Sequence, residues 1–392
     1  MLFICWVVGF IDKTAINIAI IPISEEFGLS PDHQGMIISA FFLAYSMTQL
    51  IGGYLVDRFG ARRVLSSAVA VWSLGTAVSG AVTSAVAAAR AVTGAGEAVF
   101  PAGGSVAITE HFEKSQMARA KSVLQSGASV GFAVGSLVIT ALIAAHSWQV
   151  MFFVLGAIGL VLSAALYIIM KPAAGALVTQ EKVEKVSEKK RIGALLKNTL
   201  TWKITLVYFF TNIVFWGLQS WLPSYWVKVK GMSMVEMGAY SMIPPTLGFI
   251  SFLTCGWLLD RFFHQKEKYL ICIGSAVSAI FIYLMANEES IPLAFAYLSV
   301  SNVFLNAISI SVFVSIMKHF PQNTVGTATG LINSLAQLGS FASPMLIGAV
   351  LSATNQNYEI AFSIIVACAV VVCAVATTFP AVHGKKPVEQ AA

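Results

Sequence analysis

The chain alternates between long apolar stretches and short polar breaks. Twelve stretches reach the roughly 20 mostly apolar residues that a helix needs to cross a bilayer, at about 2–23, 34–56, 63–81, 84–108, 117–145, 148–170, 204–227, 235–259, 268–286, 291–316, 324–351 and 359–381. Most breaks are brief, such as Glu25-Glu26-Phe27-Gly28 and Asn287-Glu288-Glu289-Ser290. One is long. From Lys171 to Lys203 it runs through Gln180-Glu181-Lys182-Val183-Glu184-Lys185 and Glu188-Lys189-Lys190-Arg191, and it reads as a solvated tether, partly helical at the membrane surface. It divides the spans six and six. The pattern therefore predicts an all-α membrane protein of twelve transmembrane helices: a bundle over 1–171, a linker over 172–202, and a second bundle with a short tail over 203–392.

Composition supports the bilayer as solvent. Apolar residues are 57% of the 392 and charged residues 11%, with a mean hydropathy of +0.79. A soluble protein of this length could not hide so much apolar surface. The first stretch contains Asp12 and Lys13 near its middle, so it reads as a first span with little or no tail before it, not as a cleaved leader. The five cysteines, Cys5, Cys255, Cys272, Cys368 and Cys373, lie inside apolar stretches without metal or redox spacing, as small apolar side chains do. No Asn-x-Ser/Thr sequon occurs, which agrees with a bacterial membrane. No cofactor or metal is expected.

The net charge of +6 is a topology signal. Arg58, Arg62 and Arg63 follow span 2, and Lys114, Arg119 and Lys121 follow span 4. Eight basic residues lie in the linker region, and Arg261, Lys266, Lys268, Lys318, Lys385 and Lys386 complete the set, so 20 of the 24 Lys and Arg fall on one side. Only Lys228 and Lys230 oppose them. The positive-inside rule places both termini and the linker in the cytoplasm. No nucleic-acid partner is implied.

A motif repeats at the end of the second span of each half. Gly53-Tyr54-Leu55-Val56-Asp57-Arg58 closes span 2 and continues to Gly60, Arg62 and Arg63, while Gly256-Trp257-Leu258-Leu259-Asp260-Arg261 closes span 8. Equivalent placement argues for a duplicated six-helix unit. Gly53 permits close helix approach, Gly60 a tight reversal, and Asp57 a contact with a helix N-terminus or a basic side chain. A loop that only obeys the charge rule is the plainer alternative. The complete first copy closely resembles the signature loop between helices 2 and 3 of the major facilitator superfamily. That resemblance implies the major facilitator fold, with the motif as a gate at the cytoplasmic face.

Four ionisable residues sit deep in spans: Asp12 and Lys13 in span 1, Arg90 and Glu97 in span 4. A charge at the bilayer centre costs about 2.5–3.5 kcal/mol on insertion scales, so four unpaired charges would cost on the order of 10 kcal/mol. They are expected to face the interior and pair. Arg90 and Glu97, seven apart, share a helix face with about 10 Å between Cα atoms, a gap that a solute or proton relay could bridge. Two ion pairs serving packing, Asp12 with Lys13 or Arg90, are the structural alternative, although buried pairs stabilise poorly compared with apolar packing.

Three segments narrow the resemblance: Phe10-Ile11-Asp12-Lys13-Thr14-Ala15-Ile16-Asn17, the run from Arg90 through Glu97 to Phe100-Pro101-Ala102, and Trp216-Gly217-Leu218-Gln219-Ser220-Trp221-Leu222-Pro223-Ser224-Tyr225. Together they resemble the anion:cation symporter family, which includes bacterial sugar-acid/proton symporters and the sialic acid and vesicular glutamate carriers. The resemblance implies that Asp12 and Glu97 handle protons, that Arg90 faces a substrate carboxylate and tunes Glu97, and that Tyr45 lines the cavity. The family usually has arginine where Lys13 stands. A lysine lacks the bidentate fork, which weakens direct anion clamping there and favours pairing with a carboxylate.

The second half has no deep charge. Its candidate solute contacts are Asn212, Trp216 and Gln219 in span 7, Asn302 and Asn306 in span 10, and Asn333 and Gln337 in span 11, joined by Gln125 in span 5. Hydrogen bonding between helices is an equal alternative for each. Gly127, Gly131 and Gly135 read as a close-packing stripe. The leading expectation is a proton-coupled symporter of a small organic anion, a hexonate or hexarate, in a bacterial inner membrane and acting as a monomer. Another carboxylate or an aromatic acid, or drug/proton export, is the alternative. Phosphate exchange would need more cations, a sensor would need a signalling extension, and no nucleophile–base set suggests an enzyme.

Overall fold

A computed structural model describes residues 1–81, 85–113, 116–170, 188–261 and 267–379. Every regular element in them is an α-helix: α1 (Leu2–Phe27), α2 (Pro31–Phe59), α3 (Ala61–Ala81), α4 (Val86–Glu97), α5 (Phe100–His111), α6 (Met117–Ala145), α7 (Trp148–Ile169), α8 (Glu188–Lys197), α9 (Thr199–Lys228), α10 (Met234–Tyr240), α11 (Ile243–Arg261), α12 (Glu267–Asn287), α13 (Ile291–His319), α14 (Gln322–Ala353) and α15 (Tyr358–Thr377). Twelve spans arise because α4 and α5 share one crossing, α10 and α11 share another, and α8 lies in the linker. Among the described residues, eight helices are long and apolar enough to cross a membrane by composition.

The two divided spans correct the expectation of continuous helices over 84–108 and 235–259. Proline explains both. Pro101 has no N–H to give the carbonyl of Glu97, and the helix breaks at Ala98 and Val99. Pro244 and Pro245 remove two successive donors after α10, and the chain breaks at Ser241 and Met242. Elsewhere the ends follow local chemistry. Ser147 and Asn357 cap α7 and α15 through side-chain oxygens, Ser233 and Glu236 form a capping box on α10, and Gly28 closes α1 in the left-handed region at φ 61°.

Helix pairing repeats between the halves. In the first, α1 packs on α6, α2 on α4 and α3 on α7; in the second, α9 packs on α14, α11 on α13 and α12 on α15. The glycine stripe of span 5 explains one pair. A Cβ at Gly131 would lie 2.5 Å from Phe10 Cβ and 2.6 Å from the Val7 carbonyl, and Gly135 presses on Ile11.

The two bundles meet chiefly through α2 with α14 and through α6 with α10 and α11. At the end bearing the 28–30 and 354–357 loops the meeting is tight. A Cβ on Gly35 would fall 2.5 Å from the Pro344 carbonyl, and one on Gly348 2.5 Å from the Pro31 carbonyl. There Ser352 Oγ donates to Asp32 Oδ1 at 2.8 Å and accepts from the Asp32 backbone N–H at 3.1 Å. This end of the molecule is closed.

Candidate functional site

The four deep charges meet in the first bundle, between α1 and α4. Gly94 and Gly96 bring α4 close to its neighbours: a Cβ on Gly94 would overlap the Phe41 carbonyl of α2, and one on Gly96 would fall 2.7 Å from the Trp72 amide nitrogen of α3. Arg90 Nη1 lies 3.5 Å from Asp12 Oδ1, and Lys13 Nζ lies 3.2 Å from Glu97 Oε2. Thr76 donates from Oγ1 to Asp12 Oδ2. The pairs thus run crosswise between helices. Each carboxylate meets one cation, and the cluster as a whole is neutral, which limits the cost of holding it out of water.

All four groups are sealed: Arg90 is 0% exposed, Glu97 2%, Asp12 3% and Lys13 6%. Aromatic rings wall them. Lys13 Nζ lies 4.3 Å from the Phe10 ring centroid and 4.9 Å from that of Tyr45, and Arg90 Cζ lies 5.1 Å from that of Phe41, within cation–π range. Some hydrogen-bonding capacity is unused, since Arg90 Nε, Arg90 Nη2 and Glu97 Oε1 have no partner among the described residues. Arg90 and Glu97, spaced along one face of α4, do not pair with each other: Arg90 meets Asp12, the pairing of the packing alternative, and Glu97 meets Lys13, which takes the carboxylate-pairing role. In this state Arg90 offers no surface to a solute.

The second half presents a different surface. A cavity lies between α1 and α6 on one side and α9, α10, α11 and α13 on the other. Its wall is aromatic and neutral, with Phe132, Phe215 and Trp226 beside Thr14, Gln219 and Asn302, and no charged residue among those described lines it. Gln219 and Asn302 therefore reach the cavity. Asn306 donates to Asn302 Oδ1 at 3.2 Å and sits behind it.

Other candidates serve packing here. Asn212 donates to the Ala336 carbonyl at 3.2 Å, and Gln337 Oε1 accepts from Ser340 at 2.6 Å. Asn333 donates to Gln49 Oε1 at 3.1 Å across the bundle boundary. Trp216 packs on Phe42 at 4.6 Å between centroids, and Tyr45 stacks on Phe41 at 5.8 Å. Gln125 is exposed, two turns before Phe132 and so on the face that Phe132 presents to the cavity. Thr76, Phe41 and Gln49 escaped sequence reasoning, because nothing in an apolar or neutral stretch marks a lone hydroxyl, ring or amide as a partner.

At the motif, Gly60 takes φ 82°, which suits the expected reversal. Arg58 Nη1 donates to Tyr54 Oη at 2.9 Å. Arg62 Nε donates to the Tyr167 carbonyl at 2.8 Å and lies over its ring, tying α3 to the end of α7. The Arg63 side chain is exposed. The side chains of Asp57, Asp260 and Arg261, and the surroundings of Gly53, lie outside the described residues.

Two six-helix bundles, closed against each other at one end and holding sealed charges beside a neutral cavity, define a membrane transport protein. The chain belongs to the Major Facilitator Superfamily, whose family model matches residues 2–344. It is 27% identical over 374 residues to the hexuronate transporter of Bacillus subtilis, covering 90% of this chain and 87% of that one. It is 26% identical over 377 residues to a probable sulfoacetate transporter of Cupriavidus necator, covering 91% and 87%. It is 25% identical over 378 residues to the D-galactonate transporter of Escherichia coli O6:H1, covering 89% and 87%. Among solved structures, a bacterial homologue of the human lysosomal transporter Spinster, inward-facing and occupied, superposes with a TM-score of 0.83 at 16% identity, covering 96% of this chain and 94% of that one.

Proposed function

We propose that this protein carries a small organic anion, a sugar acid of the hexonate, hexuronate or hexarate class, into the cell together with protons by alternating access. The hexuronate and D-galactonate relatives supply the substrate class. The observation that carries the coupling is the crosswise pairing of Lys13 with Glu97 and Arg90 with Asp12. A proton on either carboxyl removes the counter-charge from one buried cation. That cation is then costly alone and is neutralised by a solute carboxylate. Proton and anion therefore enter the site together, and loss of both restores the pairs.

In this reading bundles 1–171 and 203–392 rock about the site while 172–202 tethers them in the cytoplasm. The termini are cytoplasmic in a bacterial inner membrane, and one chain suffices. The closed end then faces outside, and the structure is the inward-facing state. Proteoliposomes with an imposed inward proton gradient and labelled acids test the proposal. Accumulation of a sugar acid that collapses with a protonophore is the expected result; uptake indifferent to the gradient would sink it. The aromatic cavity wall supports an aromatic acid as a second reading, and the sulfoacetate relative a small sulfonate. The same panel ranks all three.

A further inference from the structure

The two buried cations of the first bundle are provided for differently. Lys13 sits among rings: its Nζ lies 4.3 Å from the ring centroid of Phe10, 4.9 Å from that of Tyr45, 5.4 Å from that of Trp6 and 5.8 Å from that of Phe41. All four lie within the roughly 6 Å over which a ring face attracts a cation, and the attraction is strongest where water is excluded. Local sequence explains half of the cage. Trp6 and Phe10 stand seven and three positions before Lys13 on one face of α1, and a helical side chain leans toward the N-terminus, which carries the lysine stem over them. Phe41 and Tyr45, four apart on α2, supply the other two rings. The rings brace one another, Trp6 meeting Phe10 edge-on at 5.0 Å and Phe41 stacking on Tyr45 at 5.8 Å.

Arg90 has less. One ring, that of Phe41, lies near its guanidinium, and Nη1 meets Asp12. Its Nε and Nη2 have no partner among the described residues, although the side chain is buried. Those two N–H groups form one edge of the guanidinium, an edge that grips a carboxylate through two parallel bonds. When a proton on Glu97 removes the counter-charge of Lys13, the rings still compensate the ammonium. When a proton on Asp12 does the same to Arg90, buried donors are left unanswered, which is costly. The cavity adds no further cation, because no charged residue among those described lines it. The site therefore calls for one carboxylate, not two.

We propose that the aromatic cage of Trp6, Phe10, Phe41 and Tyr45 sets the charge of the solute: it withdraws Lys13 from anion binding, so the carrier takes a monoanion and rejects a dianion of the same carbon chain. This inference rests on the sugar-acid reading and narrows it to hexonates and hexuronates over hexarates. A hexarate brings its second carboxylate either to a neutral wall or to a cation that the rings already hold.

Binding of matched acids to the purified protein tests it: D-galactonate against galactarate, and D-glucuronate against D-glucarate, all fully ionised near neutral pH. The first pair differs only in a terminal hydroxymethyl or carboxylate group. The unmodified protein should favour the monoanion of each pair by about tenfold or more, since a carboxylate buried without a partner costs at least that. Replacing Phe10 by pentafluorophenylalanine keeps the shape of the ring and removes its attraction for a cation. It should narrow the preference by about two- to fivefold, the scale of one cation–π contact, because Lys13 then draws the second carboxylate. Phe10→Leu should narrow it by a similar factor. An unmodified protein that binds the dianions as well as the monoanions, or a preference unchanged by pentafluorophenylalanine, overturns the cage while leaving sugar-acid transport standing. Failure of the unmodified protein to bind any of the four acids overturns the sugar-acid reading and this inference with it.

Discussion

The charge cluster is a problem in pairing. Arg90 has no exposed surface, and its guanidinium leans on Asp12 and on the face of Phe41. Removing one member of a buried pair leaves a charge that neither water nor lipid can solvate, at a cost of about 3–5 kcal/mol. Arg90→Gln alone should therefore lower the thermal stability of the detergent-solubilised protein sharply. Adding Asp12→Asn should recover most of the loss. Simple additivity of the two losses would show that Asp12 and Arg90 are not coupled. Adding Glu97→Gln to Arg90→Gln serves as the contrast and should give no such rescue, since Glu97 answers to Lys13.

At the scale of helices, small residues and prolines decide how the spans meet and where they part. Gly131 sits in the seam between α6 and α1 with no room for a side chain. Gly131→Leu should destabilise the fold by about 1–3 kcal/mol or more, because the backbone of α1 would have to retreat. Thermal unfolding measures it, with Gly330→Ala, where a Cβ meets nothing, as the indifferent control. The periodicity of the stripe was legible in the sequence. The two broken spans were legible only in part: the prolines were visible, but hydropathy averages over a window and smooths a break of two residues.

For the whole molecule, the closed end is held by close backbone approach and by the clasp of Ser352 on Asp32. Asp32 lies outside the apolar span. Hydrogen bonds from Ser30 and Ser352 hold its carboxyl down at about 2. A group depressed in this way supports the closed state above its ordinary titration range and loses that support only as pH falls toward about 2. The clasp is therefore intact throughout the range in which transport is assayed, and pH dependence near neutrality must arise elsewhere. If the bundles rock, locking this end should stop turnover. In a background without the native cysteines, Asp32→Cys with Ser352→Cys should crosslink under mild oxidation, abolish transport and recover it on reduction. Unchanged transport by the crosslinked protein would show that this end need not open.

Much of this was written locally in the chain. Twelve apolar stretches, the sidedness of lysine and arginine, the repeated motif and four charges too costly to face lipid all follow from the sequence, because each depends on the nearby residues and the solvent they meet. Which cation meets which carboxylate does not. That depends on how far α4 is pressed between α2 and α3 and how it is turned toward α1, and differences of a few ångströms there decide the partners. The second half shows the same limit. Asn302 and Asn212 look alike in an apolar helix, yet one reaches a cavity and the other bonds to a neighbouring backbone. Tertiary packing alone sorted them, since an amide in lipid must take whichever partner the adjoining helix offers.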